Sequence, residues 1–106
     1  MAQAKLKVAF MFWTPDADPT KHRTTVSLDS FDLIVVGVRD YNQAVEVSRG
    51  LVKDGVKIIE LCGGFGNIGA AKVAEAMKGV PVGVVKFDIH PGLQGKSGDQ
   101  ILGLAP

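Results

Sequence analysis

Short, nearly continuous apolar runs alternate along the chain with longer segments whose apolar positions recur at helical spacing. The first run, Leu6 to Trp13, ends at a Thr-Pro-Asp sequence and predicts a strand that is buried on both faces. Three later runs are rich in β-branched residues and are also predicted as strands: Phe31 to Val38, Val56 to Cys62 and Val80 to Asp88. Thr24 to Leu28 alternates weakly, so we expect it to form a hairpin with the strand that follows Asp29 and Ser30.

Two helices are predicted between these strands. The first follows Asp40, which can act as its N-cap, and runs to about Lys53, with Gly55 placed for a left-handed C-terminal cap. The second spans Asn67 to Lys78 and should face inward through three apolar residues, Val73, Ala74 and Met77. Beyond Ile89 the tail is rich in glycine, which favours an ordered or ligand-closing loop over a regular element.

Strands that alternate with helices predict a single α/β domain over residues 1–106. The expected sheet is mostly parallel and has four or five strands in a β-β-α-β-α-β order, with two main helices. If the strands are laid down in one direction, both helices fall on one face and the bare face must meet another copy, as a homo-oligomer. If the order reverses, the helices cover opposite faces and a crevice opens at the switch point.

Composition narrows the classes of partner. The 106 residues are 46% hydrophobic and 22% charged, which is typical of a globular chain, and the formal net charge is +1. Such a balance provides no bulk attraction to nucleic acid or to an anionic membrane, and neither partner is expected. Cys62 is the single cysteine, no Cys/His spacing indicates a metal site, and the N-terminal apolar run is too short for a signal peptide or a membrane span. A cytoplasmic location is expected.

The turn after the third strand carries the clearest candidate chemistry. Gly64 to Gly69 reads G-x-G-x-x-G between a strand and a helix, where free amides and the helix dipole favour an anion. Polar residues collect at the ends of the other strands and in the tail, at the edge where open parallel sheets bind ligands. We therefore predict a site for a small anionic or phosphorylated metabolite, formed by Gly63, Gly64, Gly66, Asn67, Asp88, Lys96 and Ser97. A merely tight turn is the alternative, and the residues identify no cofactor.

Four further residues are candidates for catalysis: Glu60, Cys62, Lys86 and His90. Glu60 and Lys86 interrupt apolar strands and would share a face if their strands are neighbours, so they predict either a structural ion pair or an imine-forming lysine beside a catalytic acid. Cys62 and His90 end separate strands and could act as nucleophile and base, or join Asp88 as metal ligands, although a lone buried cysteine is usually a packing residue.

Three segments carry a family resemblance: Asp16-Ala17-Asp18-Pro19 with His22-Arg23; Glu60-Leu61-Cys62-Gly63-Gly64-Phe65-Gly66; and His90-Pro91-Gly92 with Gly95-Lys96-Ser97-Gly98-Asp99. At these residues the chain resembles a family of small prokaryotic proteins, about a hundred residues long, that is known only as a domain of unknown function. The resemblance implies that the segments form one site, and it implies no reaction.

A second, local resemblance concerns one helix and the strand after it. Ala44-Val45-Glu46-Val47 through Gly55, followed by Ile59-Glu60-Leu61, is similar to a βα unit of barrel-type phosphosugar aldolases. In that family the glutamate is an acid/base residue and a strand lysine forms a Schiff base, which implies such roles for Glu60 and Lys86. Three functions thus stay open: an anion-binding protein, a small enzyme, and a structural or interaction subunit without a small ligand.

Overall fold

The computed structural model describes residues 5–87 and 89–106, so Asp88, a predicted ligand-binding residue, lies outside the described residues. Along the chain it contains strands β1 (Leu6–Trp13), β2 (Arg23–Ser27) and β3 (Phe31–Val38), helix α1 (Tyr41–Lys53), strand β4 (Val56–Leu61), helix α2 (Asn67–Ala76), strand β5 (Val82–Val84), a 3-10 helix (Pro91–Leu93) and helix α3 (Gly98–Ile101). The predicted α/β class, the hairpin and both main helices are confirmed.

In the described residues the strands form one sheet in the order β2-β3-β1-β4-β5. Strand β1 lies at the centre and pairs in parallel with β3 and β4, while β5 extends the parallel part beyond β4. Strand β2 is antiparallel and forms the other edge. The order reverses at β1, because the chain moves to one side of it for β3 and to the other side for β4 and β5.

Both long helices lie on the same face of this sheet. Helix α1 crosses from β3 to β4 and packs on β1, β3 and β4, and α2 packs on β5 and against α1. The reversal at β1 places no helix on the other face, because the connection from β1 to β3 contains β2 instead. The structure therefore combines the reversed strand order of one predicted alternative with the one-sided helices of the other, and neither alternative is correct as a whole.

The core lies between the sheet and these helices. Ala9, Met11 and Trp13 of β1 are buried, and so are residues in register with them on neighbouring strands, among them Val36, Val38, Ile59 and Leu61.

Asp40 caps α1 as predicted, because its carboxylate accepts a hydrogen bond of 2.8 Å from the N–H of Gln43. Gly55 adopts a φ of 103°, which is the left-handed turn expected after that helix.

Apolar side chains also cover the opposite face, which carries no helix. Alternation places the remaining β1 residues on that face together with their partners in register on the other strands, namely Leu6, Val8, Phe10, Phe12, Val26, Leu33, Val35 and Ile58. These side chains are half-buried or exposed, and Val26 reaches 50% exposure. We call this surface the open face.

Three expectations for the second half of the chain are wrong. Strand β5 contains only Val82–Val84 instead of Val80 to Asp88, and it ends there because β4 ends at Leu61, the partner of Val84. Ala74 is exposed, whereas Val73 and Met77 are buried as expected. The tail is not a plain loop, since it contains the 3-10 helix and α3.

Candidate functional site

The C-terminal ends of the parallel strands meet the C-terminal segment of the chain. Trp13 ends β1, and its indole N–H donates to the carbonyl of Gly64 in the turn after β4. Residues 91–106 lie against this turn, with Gly98 so close that a Cβ there would overlap the Gly64 carbonyl and the Tyr41 hydroxyl. The predicted convergence of the glycine turn with the Gly95 to Asp99 segment is therefore observed. We call residues 91–106 the C-terminal strap.

The amides at the start of α2 bind an anion, and that anion is the Asp99 carboxylate of the strap. Its Oδ2 accepts from the N–H of Ile68 at 2.9 Å, and its Oδ1 accepts from the N–H of Gly69 at 3.0 Å. The Tyr41 hydroxyl donates to Oδ1 at 3.0 Å. Only 5% of Asp99 is exposed. A carboxylate from the chain itself thus occupies the position where helix α2 favours negative charge.

The other amides of the glycine turn also have partners within the chain. The N–H of Gly64 donates to the Cys62 sulfur at 3.3 Å, that of Phe65 to the Cys62 carbonyl at 3.0 Å, and that of Gly66 to the Tyr41 hydroxyl at 3.0 Å. The turn therefore uses most of its donors to join α1, β4 and the strap.

Close packing accounts for two of the motif glycines. A Cβ on Gly66 would overlap the Asp99 carboxylate, and one on Gly69 would overlap the Tyr41 ring. Gly66 has an ordinary φ of −76°, so lack of space and not backbone conformation requires glycine there. Here the G-x-G-x-x-G spacing makes room for the Asp99 and Tyr41 side chains of the same chain.

Tyr41 links the elements of this edge. Its ring stacks on Phe65 at 5.4 Å between centroids and meets the Trp13 ring edge-on at 6.2 Å. Burial raises the pKa of the Tyr41 hydroxyl, and the hydrogen bond to the Asp99 carboxylate and its charge raise it further, against the opposing hydrogen bond from Gly66. The hydroxyl therefore stays protonated and donates to Asp99 throughout the physiological range.

Cys62 and His90 lie on either side of the Gly63–Gly64 turn. Cys62 is half-buried and its sulfur accepts the Gly64 amide. His90 packs on the Phe87 ring at 4.6 Å, and its Nδ1 accepts the N–H of Gly92 at 2.9 Å. A Cβ on Gly63 would overlap Phe87 and contact His90. In this arrangement the Nδ1 atom of His90 is engaged by the backbone and is not directed as a base at the thiol.

Glu60 and Lys86 are not neighbours in register. Strand β5 pairs so that Gly83 lies beside Glu60, while Val82 and Val84 lie beside Ile59 and Leu61. The expectation that Glu60 and Lys86 share a face of neighbouring strands is therefore wrong, because β5 ends at Val84 and its register places Gly83 beside Glu60. The salt bridges of residues 5–87 and 89–106 do not include a Glu60–Lys86 pair.

The remaining predicted ligand residues have local roles. Ser97 caps α3, since its hydroxyl accepts from the N–H of Gln100 at 3.1 Å. Lys96 is exposed, and its backbone pairs with that of His90 in an isolated bridge. Asn67 is exposed at the first turn of α2. Neither Lys96 nor Asn67 lies among the partners of Asp99.

The loop after β1 forms its own small polar cluster beside the open face, at the end of β1. The Thr14 hydroxyl donates to Asp16 at 2.8 Å, and the N–H of Asp18 donates to Nδ1 of His22 at 2.8 Å. The hydrogen bond from Thr14 holds the pKa of the Asp16 carboxyl below its ordinary value. A cavity of about 150 Å³ lies between this loop and Phe12. The loop is separate from the Asp99 contacts.

Sequence reasoning assigned no role to the two residues that organise the edge, Asp99 and Tyr41, although Asp99 lies in one of the segments expected to form the site. The Ser97–Gln100 spacing of a capping box indicated a short helix in the strap and thereby a fixed position for Asp99. Tyr41 directly follows the helix-capping Asp40. The sequence pattern therefore already places Tyr41 at the start of α1, close to the end of β3. Nothing local in the sequence relates either residue to amides about thirty positions away.

Two further properties of the described residues concern metal binding and membrane crossing. Among the described residues no group of three or more His, Cys, Asp or Glu is placed to hold a metal ion. Within the same part of the chain, none of the helices has the length and apolar character that crossing a bilayer requires.

Fold and site together define an α/β protein with both long helices on one face of its sheet and a C-terminal strap bound at the strand ends. The chain belongs to the family of unknown function DUF6506, whose model matches residues 6–100. The matched range includes the open face, the glycine turn and Asp99. No curated protein and no solved structure matches the chain.

Proposed function

We propose that this chain is an interaction subunit that associates with a second copy of itself through the open face. The open face carries the proposal, because apolar side chains extend over its strands and no helix covers them. Contiguous apolar surfaces of this kind on soluble proteins mark association sites. Glu60 is the one charged residue at the paired open-face positions of β1, β3 and β4, and it lies beside the edge strand β5, at the rim of the surface where a carboxylate stays hydrated.

The size of the open face is close to the minimum for a specific association. Strands spaced about 4.8 Å apart, each contributing about six residues, give a footprint of roughly 500 Å² for a five-stranded sheet. Two copies face to face would bury about 1,000 Å², which reaches the size expected of a specific interface. A second copy provides the same apolar surface, and a twofold axis makes that surface self-complementary.

Light scattering after size-exclusion chromatography tests this proposal. The wild-type chain is expected to elute as a dimer at micromolar concentration, and Val35→Asp to elute as a folded monomer, because a carboxylate at the centre of the open face cannot be buried unpaired. Val26→Asp, at the edge strand, provides a second and milder variant. Leu104→Asp introduces the same charge at an exposed apolar residue of the strap and should leave the dimer intact. A wild-type monomer would refute the proposal.

Anion binding at the C-terminal edge is the second candidate function, and the bound Asp99 carboxylate favours it. Three donors converge there on a buried negative charge, so a small anionic or phosphorylated metabolite would bind in exchange for Asp99. In Asp99→Ala, formate, acetate or phosphate should raise the melting temperature more than chloride does at equal ionic strength. If the three anions act like chloride, the donors serve Asp99 alone. The enzyme alternatives for Glu60, Cys62, Lys86 and His90 stay predictions.

A further inference from the structure

A groove on the open face contains one charged side chain among apolar ones. Phe10, Glu60 and Gly83 lie side by side in register across β1, β4 and β5. They line a cavity of about 290 Å³ together with Leu61, Val84 and Val85. We call this cavity the Glu60 groove. Its volume lies just below the range of about 300–1,000 Å³ that is typical of small-molecule sites, so only a ligand of a few heavy atoms fits.

The Glu60 carboxylate has no counter-charge in this groove. Within residues 5–87 and 89–106 the ion pairs are those of Lys5 with Asp32 and of Arg39 with Asp40. No hydrogen bond to the Glu60 side chain occurs among the described residues either. A negative charge beside an aromatic ring and the exposed aliphatic side chain of Val85 is complementary to a cation that carries a small apolar body.

The neighbours of Glu60 favour the same chemistry. Gly83 has no side chain, and a Cβ there would meet nothing within 4 Å, so the space beside the carboxylate is open. The half-buried Phe10 ring provides an aromatic surface that attracts cations. We infer that the Glu60 groove binds a small organic ammonium ion, with the nitrogen at the carboxylate and the apolar part against Phe10 and Val85.

This inference does not depend on the proposed self-association. The groove is formed by one copy of the chain but is part of the open face that the dimer would cover. Binding is therefore measured on Val26→Asp, at concentrations where light scattering shows a monomer, because its new carboxylate lies two strands away from Phe10. A wild-type chain that is monomeric and binds butylammonium would therefore refute only the first proposal, whereas a wild-type dimer whose monomeric variant binds no butylammonium would refute only this one.

The test is an NMR titration with three probes of equal length: n-butylammonium, n-butanol and n-butyrate. Butylammonium is expected to shift the amide signals of Gly83, Val84 and Val85 and to bind about tenfold more tightly than butanol, because its hydrogen bond to Glu60 is charge-assisted. Butyrate should bind most weakly. Equal binding of butylammonium and butanol, or shifts located elsewhere, would overturn the inference.

Two variants separate charge from shape. Glu60→Gln keeps the groove and removes the charge, so butylammonium should fall to the affinity of butanol. Gly83→Val fills the groove and keeps the charge, and it should abolish binding of both probes without a clash. Glu75→Gln removes an exposed carboxylate on α2 and should bind as the wild type does. Undiminished butylammonium binding by Glu60→Gln or by Gly83→Val contradicts the assignment.

Discussion

Tyr41 is the single tyrosine of the chain, and its hydroxyl donates to Asp99 while accepting from Gly66. Tyrosinate absorbance near 295 nm therefore reports this side chain alone. In the folded chain its titration midpoint should lie above the value of about 10 for free tyrosine, and in urea it should return to that value. A folded chain whose tyrosine titrates at the free value would contradict the buried contacts.

The sign of the resulting pH dependence follows from the raised pKa. Below the unfolded value both states hold the proton, so the contribution of Tyr41 to stability is fully present. Above about pH 10 the unfolded chain loses the proton first, and the free energy of unfolding falls as pH rises further. Tyr41→Phe should be less stable at neutral pH and show a shallower alkaline decline.

Two glycines provide a matched comparison of space at the residue scale. Gly66→Ala should lower the free energy of unfolding by about 2 kcal/mol, because the new Cβ displaces the Asp99 carboxylate. Gly50→Ala, in α1 with nothing within 4 Å of its Cβ position, should raise it by about 0.5–1 kcal/mol through helix propensity. Urea denaturation measures both. Equal effects of the two substitutions would mean that Asp99 does not press against Gly66.

At the scale of elements, α2 depends on a side chain that is not its own. Its N-cap is Gly66, which has no side chain to cap the helix, and Asp99 from the strap supplies the carboxylate. Asp99→Asn should therefore cost about 2 kcal/mol of stability, because a charged acceptor is lost at buried donors. Asp29→Asn, in the exposed hairpin loop, is the control and should change little.

Hydrogen exchange locates that effect. In Asp99→Asn the amides of Ile68 and Gly69 should exchange faster, while those of α1 keep their protection. Uniform acceleration over the whole chain would indicate general destabilisation and no specific link between the strap and α2.

Elements with a local signal were predictable from the sequence. The bounds of β1 and β3 follow from apolar runs that end at turn residues, and α1 follows from its periodicity and from Asp40. Strand β5 was overextended, because an apolar run records burial but not which partner residues are available to pair. The predicted pairing of Glu60 with Lys86 is wrong for the same reason, because a shift of the register by one residue reverses the face of every side chain.

The candidate site was likewise predictable only in part. The position of an anion at the start of α2 was predictable from helix electrostatics, whereas the source of that anion was not. Asp99 lies thirty and more positions from the amides that it binds, and only the fold brings them together. Glu60 was recognised as unusual because it interrupts an apolar strand, and its groove became visible only with the pairing to Gly83.

At the scale of the whole molecule, self-association should couple stability to concentration. Two native copies that form a dimer unfold to two chains, so mass action stabilises the dimer as the protein concentration rises. The melting temperature should therefore increase by about 3 °C for each tenfold increase in concentration. Val35→Asp should show a melting temperature that does not vary with concentration. A wild-type value that is equally constant would argue against the dimer.

The central position of β1 has a consequence for the nascent chain. Strands β1, β2 and β3 are complete within the first 38 residues, before any residue of α1 has been added. A sheet formed at that stage has two uncovered apolar faces, which is the condition in which folding intermediates aggregate. Only Arg39 and Asp40 separate β3 from α1. The helix that shields one face is thus the next element to leave the ribosome, and α1 leaves the other face uncovered.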